Sequence, residues 1–192
     1  MGHVNIEIKA RCARPDAIRR VLQALNADFK GIDHQIDTYF RCAHGRLKLR
    51  EGTIECALIH YDREDAAGPK HCDVILYHPA RPAPPPERTR AELPHDGTAG
   101  PAALKAALAA AHGILTVVDK QREIYFIDNV KFHIDQVAGL GGFVEIEAID
   151  TQGTIGVKRL RAQCEHYINL FAINETDLVT CSYSDLLLAK DS

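Results

Sequence analysis

Charged and apolar residues alternate at period two in several separated stretches of this chain, and that alternation restricts those stretches to strands with one packed face and one charged face. In Val4-Asn5-Ile6-Glu7-Ile8-Lys9-Ala10-Arg11 the apolar set is Val4, Ile6, Ile8 and Ala10, and the opposite set is Asn5, Glu7, Lys9 and Arg11. Arg46-Leu47-Lys48-Leu49-Arg50 places all its cations on one face. Ile59, Tyr61 and Arg63 share a side of a strand-like run from Thr53 to Arg63, as Val118, Lys120, Arg122, Ile124 and Phe126 do between Ile114 and Asp128. A helix, with about 3.6 residues per turn, would scatter these sets around its circumference.

His133 to Glu147 reads as two strands around a glycine-rich turn, Gly139-Leu140-Gly141-Gly142, with Glu145 and Glu147 on one face and Val144 and Ile146 on the other. A turn symmetric about Leu140 places Asp135 opposite Glu145. Converging carboxylates repel unless protons, bases or a cation neutralise them. Oxygen-only ligands favour Mg²⁺, Mn²⁺ or Ca²⁺ over zinc. The alternative for this hairpin is a solvated acidic face of an antiparallel sheet; for Arg46 to Arg50 it is an edge strand protected by charge.

Gln35 to Phe40 and His71 to Tyr77 also read as strands, and Arg88 to Leu93 as a short returning one. A helix is expected after Pro15-Asp16, with Ile18, Val21, Leu22 and Leu25 as its apolar stripe. A second opens at Gly100-Pro101 and stops at Gly113, with proline at its start and glycine past its end. A third spans Thr154 to Phe171 with Leu160, Cys164, Tyr167, Ile168 and Phe171 buried, and a short one lies around Asp185 to Ala189. His78 to Glu87, with Pro84-Pro85-Pro86, is neither regular helix nor central strand and reads as a surface loop. Neither half offers enough strands to close a core, so residues 1–192 are expected to form one domain; 192 residues at 46% hydrophobic suffice for that.

The 23 basic and 26 acidic residues nearly cancel, which argues against a nucleic-acid partner. Cys12, Cys42, Cys56, Cys72, Cys164 and Cys181 are scattered without a C-x-x-C pair, as suits reduced thiols in the cytoplasm. No apolar run approaches the roughly 20 residues of a membrane span, and the N-terminus lacks a signal core, so no membrane association is expected. A homodimer is compatible with the sequence, though no feature determines oligomeric state.

About eight strands, mostly hairpin-connected, with three or four helices make the class α+β on an antiparallel sheet. Closing that sheet brings charges of both signs into one cavity, which is costly unless each charge is paired or met by ligand. A polyphosphate with a divalent metal answers both needs, because bases take phosphate oxygens and carboxylates take the metal.

Asn5-Ile6-Glu7-Ile8-Lys9 resembles the E-x-E-x-K signature of the CYTH family, the class IV adenylyl cyclase and thiamine triphosphatase group also called triphosphate tunnel metalloenzymes. Asp37-Thr38-Tyr39-Phe40, Gly45-Arg46-Leu47-Lys48-Leu49-Arg50, Tyr61-x-Arg63, Lys120-x-Arg122 and Asp135…Glu145-x-Glu147 follow in order. The resemblance implies an eight-stranded antiparallel β-barrel with helices packed outside, binding a triphosphate and Mg²⁺ or Mn²⁺ in its tunnel. It implies Glu7, Asp135, Glu145 and Glu147 as metal-binding carboxylates, and Lys9, Arg46, Lys48, Arg50, Arg63, Lys120 and Arg122 as triphosphate-binding bases. Lys9 is also the candidate to help activate the nucleophile. Asn5 departs from the signature, replacing a carboxylate by a neutral, weaker ligand. Lys70, His71 and Arg88 near the tunnel mouth read as solvated loop charges.

The implied activity is that of a class IV adenylyl cyclase, converting ATP to 3′,5′-cyclic AMP and pyrophosphate. The alternatives are hydrolysis of inorganic triphosphate or thiamine triphosphate, and a polyphosphate-binding module without turnover. The absence of tryptophan leaves Tyr39, Phe40 or Tyr61 to stack on a thiazolium and weighs against thiamine triphosphate.

Overall fold

In the computed structural model, which describes residues 3–63, 69–79 and 100–190, the alternating stretches become the staves of a closed antiparallel barrel. The strands are β1 (His3–Arg11), β2 (Asp28–Phe40), β3 (Arg46–Gly52), β4 (Cys56–Arg63), β5 (Lys70–Tyr77), β6 (Ile114–Ile127), β7 (Val130–Val137) and β8 (Gly141–Asp150). They close in the order β1-β5-β4-β3-β2-β6-β7-β8, with β8 returning to β1. The helices are α1 (Pro15–Ala24), α2 (Pro101–His112), α3 (Val157–Leu170) and α4 (Tyr183–Lys190). The expected strand at Arg88 to Leu93 and most of the proline-rich loop lie outside the described residues. None of the described helices is long and apolar enough to cross a membrane.

The apolar faces of β1, β7 and β8 point outward and are buried beneath α1 and α3. Ile6, Ile8, Ala10, Phe132, Ile134, Val144, Ile146 and Ala148 pack with Ile18 and Leu22 of α1 and Leu160 and Cys164 of α3. Tyr167, Ile168 and Phe171 complete the stripe read for α3. Leu25, placed in the stripe of α1 by spacing, lies just past the helix end and is exposed. All six cysteines are free thiols.

The hairpin register differs from the symmetric expectation. Asp135 pairs with Phe143, while His133 faces Glu145 and Lys131 faces Glu147. The turn centres on Gly139 rather than Leu140, because left-handed backbone at Gly139 (φ 75°) and Gly141 (φ 93°) closes it, and glycine adopts that conformation without steric penalty. Across the barrel closure, Glu7 faces Glu147 and Lys9 faces Glu145. Two rungs result: Glu7–Glu147–Lys131 and Lys9–Glu145–His133.

The β3–β4 turn is held from below by buried Asp33. Its carboxylate accepts from the Ile54 and Glu55 backbone N–H groups at 2.7 and 3.0 Å, from Thr53 Oγ1 at 2.9 Å and from Gln35 Nε2 at 2.7 Å. Gly52 lets this happen, since a Cβ there would lie 2.5 Å from the Glu55 carbonyl oxygen and 2.7 Å from Asp33 Oδ2. Gly52→Ala is therefore expected to destabilise the fold by about 1–3 kcal/mol, lowering the thermal midpoint by roughly 5 °C for a chain of this size. An unchanged midpoint in calorimetry would show that the turn relaxes freely.

Candidate functional site

The charged strand faces point into the barrel and line a cavity of about 470 Å³, within the range of small-molecule sites. One wall is ionic: Asn5, Glu7 and Lys9 from β1, Lys48 and Arg50 from β3, Lys120 and Arg122 from β6, Lys131 and His133 from β7, Glu145 and Glu147 from β8. The facing wall is apolar: Ala57 and Ile59 of β4, Cys72, Val74 and Leu76 of β5, with Ile54 and Cys56 at the turn. Tyr39, Tyr61 and Tyr183 also line it.

Asp37 is the hub of the basic cluster. Its carboxylate accepts from Lys48 Nζ at 2.9 Å, Arg50 Nε at 2.9 Å, Arg50 Nη2 at 3.1 Å and Lys120 Nζ at 2.7 Å. Burial alone would raise its carboxyl pKa, but Arg50, Lys120 and Lys48 hold it well below the usual carboxylate range. Sequence reading took Asp37 only as part of a motif; its place on the inward face with Gln35 and Tyr39 was the available signal. Glu55 was missed as well, and from its turn it bonds Arg50 at 2.8 Å and Lys131 at 2.6 Å.

A second cluster gathers around Glu145. Lys9 Nζ lies 2.5 Å from Oε1, while Arg122 Nη2 at 2.7 Å and His133 Nδ1 at 3.2 Å approach Oε2. Burial works against the Glu145 charge, yet Arg122, Lys9 and His133 keep its pKa well below normal. Arg122 also grips Asp135 with two bonds, at 2.7 and 2.5 Å, and the Tyr183 hydroxyl donates to Asp135 Oδ2 at 2.7 Å. Tyr183 comes from α4, which lies across the barrel end bearing the β2–β3 and β7–β8 turns: Asp185 pairs with Arg46 and Lys190 bonds the Gly139 carbonyl. The Lys9 ammonium sits 3.5 Å from the Tyr183 ring centroid. Nothing local in the sequence signalled that so short a helix would reach into the tunnel.

The expected site residues thus divide. Glu7, Lys9, Lys48, Arg50, Lys120, Arg122, Glu145 and Glu147 come together in the cavity, whereas Arg46 pairs with α4 outside its lining. Asp135 is not part of the cavity lining; it shares Arg122 Nη2 with Glu145 and serves Arg122 and Tyr183. The side chains of Arg63, Lys70 and His71, and all of Arg88, lie outside the described residues.

The donors suit a divalent cation. Nδ1 of His133 and a carboxylate oxygen each from Glu145 and Glu147 lie within 4.8 Å of one another. His133 Nδ1 is 3.2 Å from Glu145 Oε2 and 3.4 Å from Glu147 Oε1. Adjacent ligands of an octahedral ion bound at about 2.1 Å stand about 3 Å apart, so His133 Nδ1 already lies near ligand spacing from each carboxylate oxygen. Burial pushes the Glu147 carboxyl up, but His133 and Lys131 bring it down to about 2, leaving it ionised and ready to ligate. Asn5 Oδ1, buried in the same lining, has no hydrogen-bond partner among the described residues.

Lys120 carries the proton that is easiest to move. Burial, aided by Arg50, Arg122 and Lys48, outweighs Asp37 and lowers its pKa to about 7. A bound polyanion raises that value, so at about pH 8 binding of inorganic triphosphate takes up more protons than in a Lys120→Met variant, and at about pH 6 the two agree. Calorimetry in buffers of different ionisation enthalpy measures this; identical uptake at both pH values would show that Lys120 is already charged.

The chain matches the CYTH domain over residues 3–170. No curated protein sequence matched it. Among solved structures, a Pyrococcus horikoshii protein superposes with a TM-score of 0.67 at 22% identity, covering 95% of this chain and 98% of that one. A candidate adenylate cyclase from Vibrio parahaemolyticus gives 0.70 at 16%, covering 97% and 99%. A candidate adenylyl cyclase from Hippeastrum, described as having a dominant triphosphatase activity, gives 0.58 at 13%, covering 98% and 95%.

Proposed function

Because the chain belongs to the CYTH family, we propose that residues 1–192 act as one CYTH-like unit that binds an organic triphosphate with Mg²⁺ or Mn²⁺ and transforms it in the manner of a class IV adenylyl cyclase. The observation that carries this reading is the two-faced cavity, ionic on one wall and apolar on the other. Inorganic triphosphate has no use for the apolar wall, whereas a nucleoside can lie against Ile59, Val74 and Leu76 with its phosphates toward β3 and β6. Such a division of labour, an apolar surface for the ring system and a few placed charges for orientation, is usual in small-molecule sites.

In this reading Lys48, Arg50, Lys120 and Lys9 hold phosphate oxygens and stabilise charge developing on the pyrophosphate leaving group. Asp37 and Glu55 fix the directions of those bases. Glu7, Glu145 and Glu147 hold the cation, which when bound neutralises phosphate charge and acidifies the attacking hydroxyl. Lys9, tied to Glu145 and resting on Tyr183, orients the nucleophile, and Lys120 can pass a proton near neutrality. Arg122, engaged by two carboxylates, positions Glu145.

Hydrolysis is the second reading. Among the described residues the apolar wall offers Cys56, Cys72, the Tyr61 hydroxyl and nearby His78 to the polar edge of a base, so a ring can be accommodated without being strictly selected. The test is a product assay with ATP, inorganic triphosphate and thiamine triphosphate, each with Mg²⁺ or Mn²⁺. Cyclic AMP with pyrophosphate supports the cyclase reading. Orthophosphate alone makes the protein a triphosphatase, and metal-dependent binding without product makes it a binding module.

A further inference from the structure

Building on that reading of the cavity as a metal-dependent triphosphate site, we propose that His133 is itself a ligand of the cation, through Nδ1, so that this chain holds a mixed nitrogen–oxygen metal subsite preferring Mn²⁺ to Mg²⁺. The register is the first reason. The hairpin centred on Gly139 sets His133, not Asp135, beside Glu145, while Asp135 is spent on Arg122 and Tyr183.

The second reason is how Nδ1 is held. It lies 3.2 Å from one carboxylate and 3.4 Å from the next, longer than the roughly 2.7–2.9 Å of a committed charge-assisted bond. The nitrogen is shared between two acceptors at the spacing of neighbouring ligands of one ion. His133 is 1% exposed and its Nε2 has no hydrogen-bond partner among the described residues. When Nδ1 ligates, Nε2 carries the ring proton.

The third reason is Asn5, 6% exposed on the same lining with Oδ1 unpartnered. Where a carboxylate would strengthen binding of a hard ion, the chain presents a neutral oxygen, and two strands away on the same wall it presents an imidazole. Imidazole favours borderline transition ions, while Mg²⁺ is served best by oxygen and retains its waters.

Pulsed electron paramagnetic resonance on the Mn²⁺-loaded protein, with and without inorganic triphosphate, tests this directly. The expected result is ¹⁴N modulation from a coordinated imidazole, converted by ¹⁵N-histidine labelling of the wild type and abolished in His133→Gln. Mn²⁺ affinity in that variant should fall by about 10–100-fold or more, with Mg²⁺ affinity falling less. Bound Mn²⁺ without nitrogen modulation, or modulation that survives His133→Gln, overturns the proposal and leaves the triphosphate reading standing. Failure of the wild type to bind any divalent cation, with triphosphate present, overturns both. If the variant does not fold, the labelling experiment on the wild type still decides whether a histidine nitrogen is coordinated.

Discussion

Replacing Asp37 with asparagine lowers the thermal midpoint by roughly 10 °C, the largest stability loss expected from any single change in the tunnel. The carboxylate is 1% exposed and bonds Lys48, Arg50 and Lys120, which are themselves mostly or wholly buried. An amide keeps the shape and removes the charge. Three cations are then left facing one another in a low-dielectric interior, and breaking a buried ion pair from one side costs about 3–5 kcal/mol. At roughly 2–4 °C per kcal/mol for a chain of this length, the midpoint shift follows. Glu55 retains a hold on Arg50, and Lys120 sheds its proton readily, which keeps the loss below a sum over all three partners.

The sign with pH is fixed by the same contacts. The folded-state pKa of Asp37 is depressed below the ordinary 3.8, so its contribution is fully present above that value and is lost as pH falls toward the folded-state pKa. Asp37→Asn lacks that part of the acid limb. Inorganic triphosphate should restore stability to the variant more than to the wild type, because it brings anionic oxygen to the same cations; saturation at about 100 times Kd adds about 2.7 kcal/mol. A midpoint within about 2 °C of the wild type, without triphosphate, would show that the cations do not depend on Asp37.

The barrel was legible because its strands obey period two almost without exception. Ile6, Ile8 and Ala10 against Asn5, Glu7 and Lys9 state both which face is packed and which is charged, and amphipathic α3 states what covers the packed face. The details that depend on a single residue of register were not legible. Gly139, Gly141 and Gly142 could each close a hairpin, and moving the centre from Leu140 to Gly139 exchanged Asp135 for His133 as the neighbour of Glu145. Side-chain period was preserved by that shift, so no hydrophobic pattern opposed either register. Contacts between distant segments were also hidden: Tyr183 reaches Asp135 from a helix at the other end of the chain, and Glu55 reaches Lys131 from a turn. Residues that serve other functional residues, rather than ligand, left the weakest trace.

Glu147→Gln should lower turnover on the preferred triphosphate by about 10²–10³-fold while leaving the barrel folded. Glu147 differs from its neighbours in having few protein bonds to lose. Glu145 is gripped by Lys9, Arg122 and His133, and Asp135 by Arg122 and Tyr183, whereas Glu147 approaches His133 at 3.4 Å and shares its rung with Glu7 and Lys131. With its pKa held at about 2 by His133 and Lys131, Glu147 is ionised throughout the working pH range and is free to offer its oxygens to a cation. Because that pKa is depressed, Glu147 contributes stability above its ordinary 4.5 and loses it as pH falls toward about 2, so the variant should unfold a few degrees earlier at neutral pH, not later. The discriminating measurement is the midpoint shift on adding Mn²⁺. Wild type rises with the metal by linkage, and Glu147→Gln should scarcely respond until the concentration is raised about 10–100-fold. Unchanged Mn²⁺ dependence of both midpoint and turnover would remove Glu147 from the metal set and leave Glu145 and Glu7, the latter its partner across the β1–β8 seam, as the carboxylates that hold the cation.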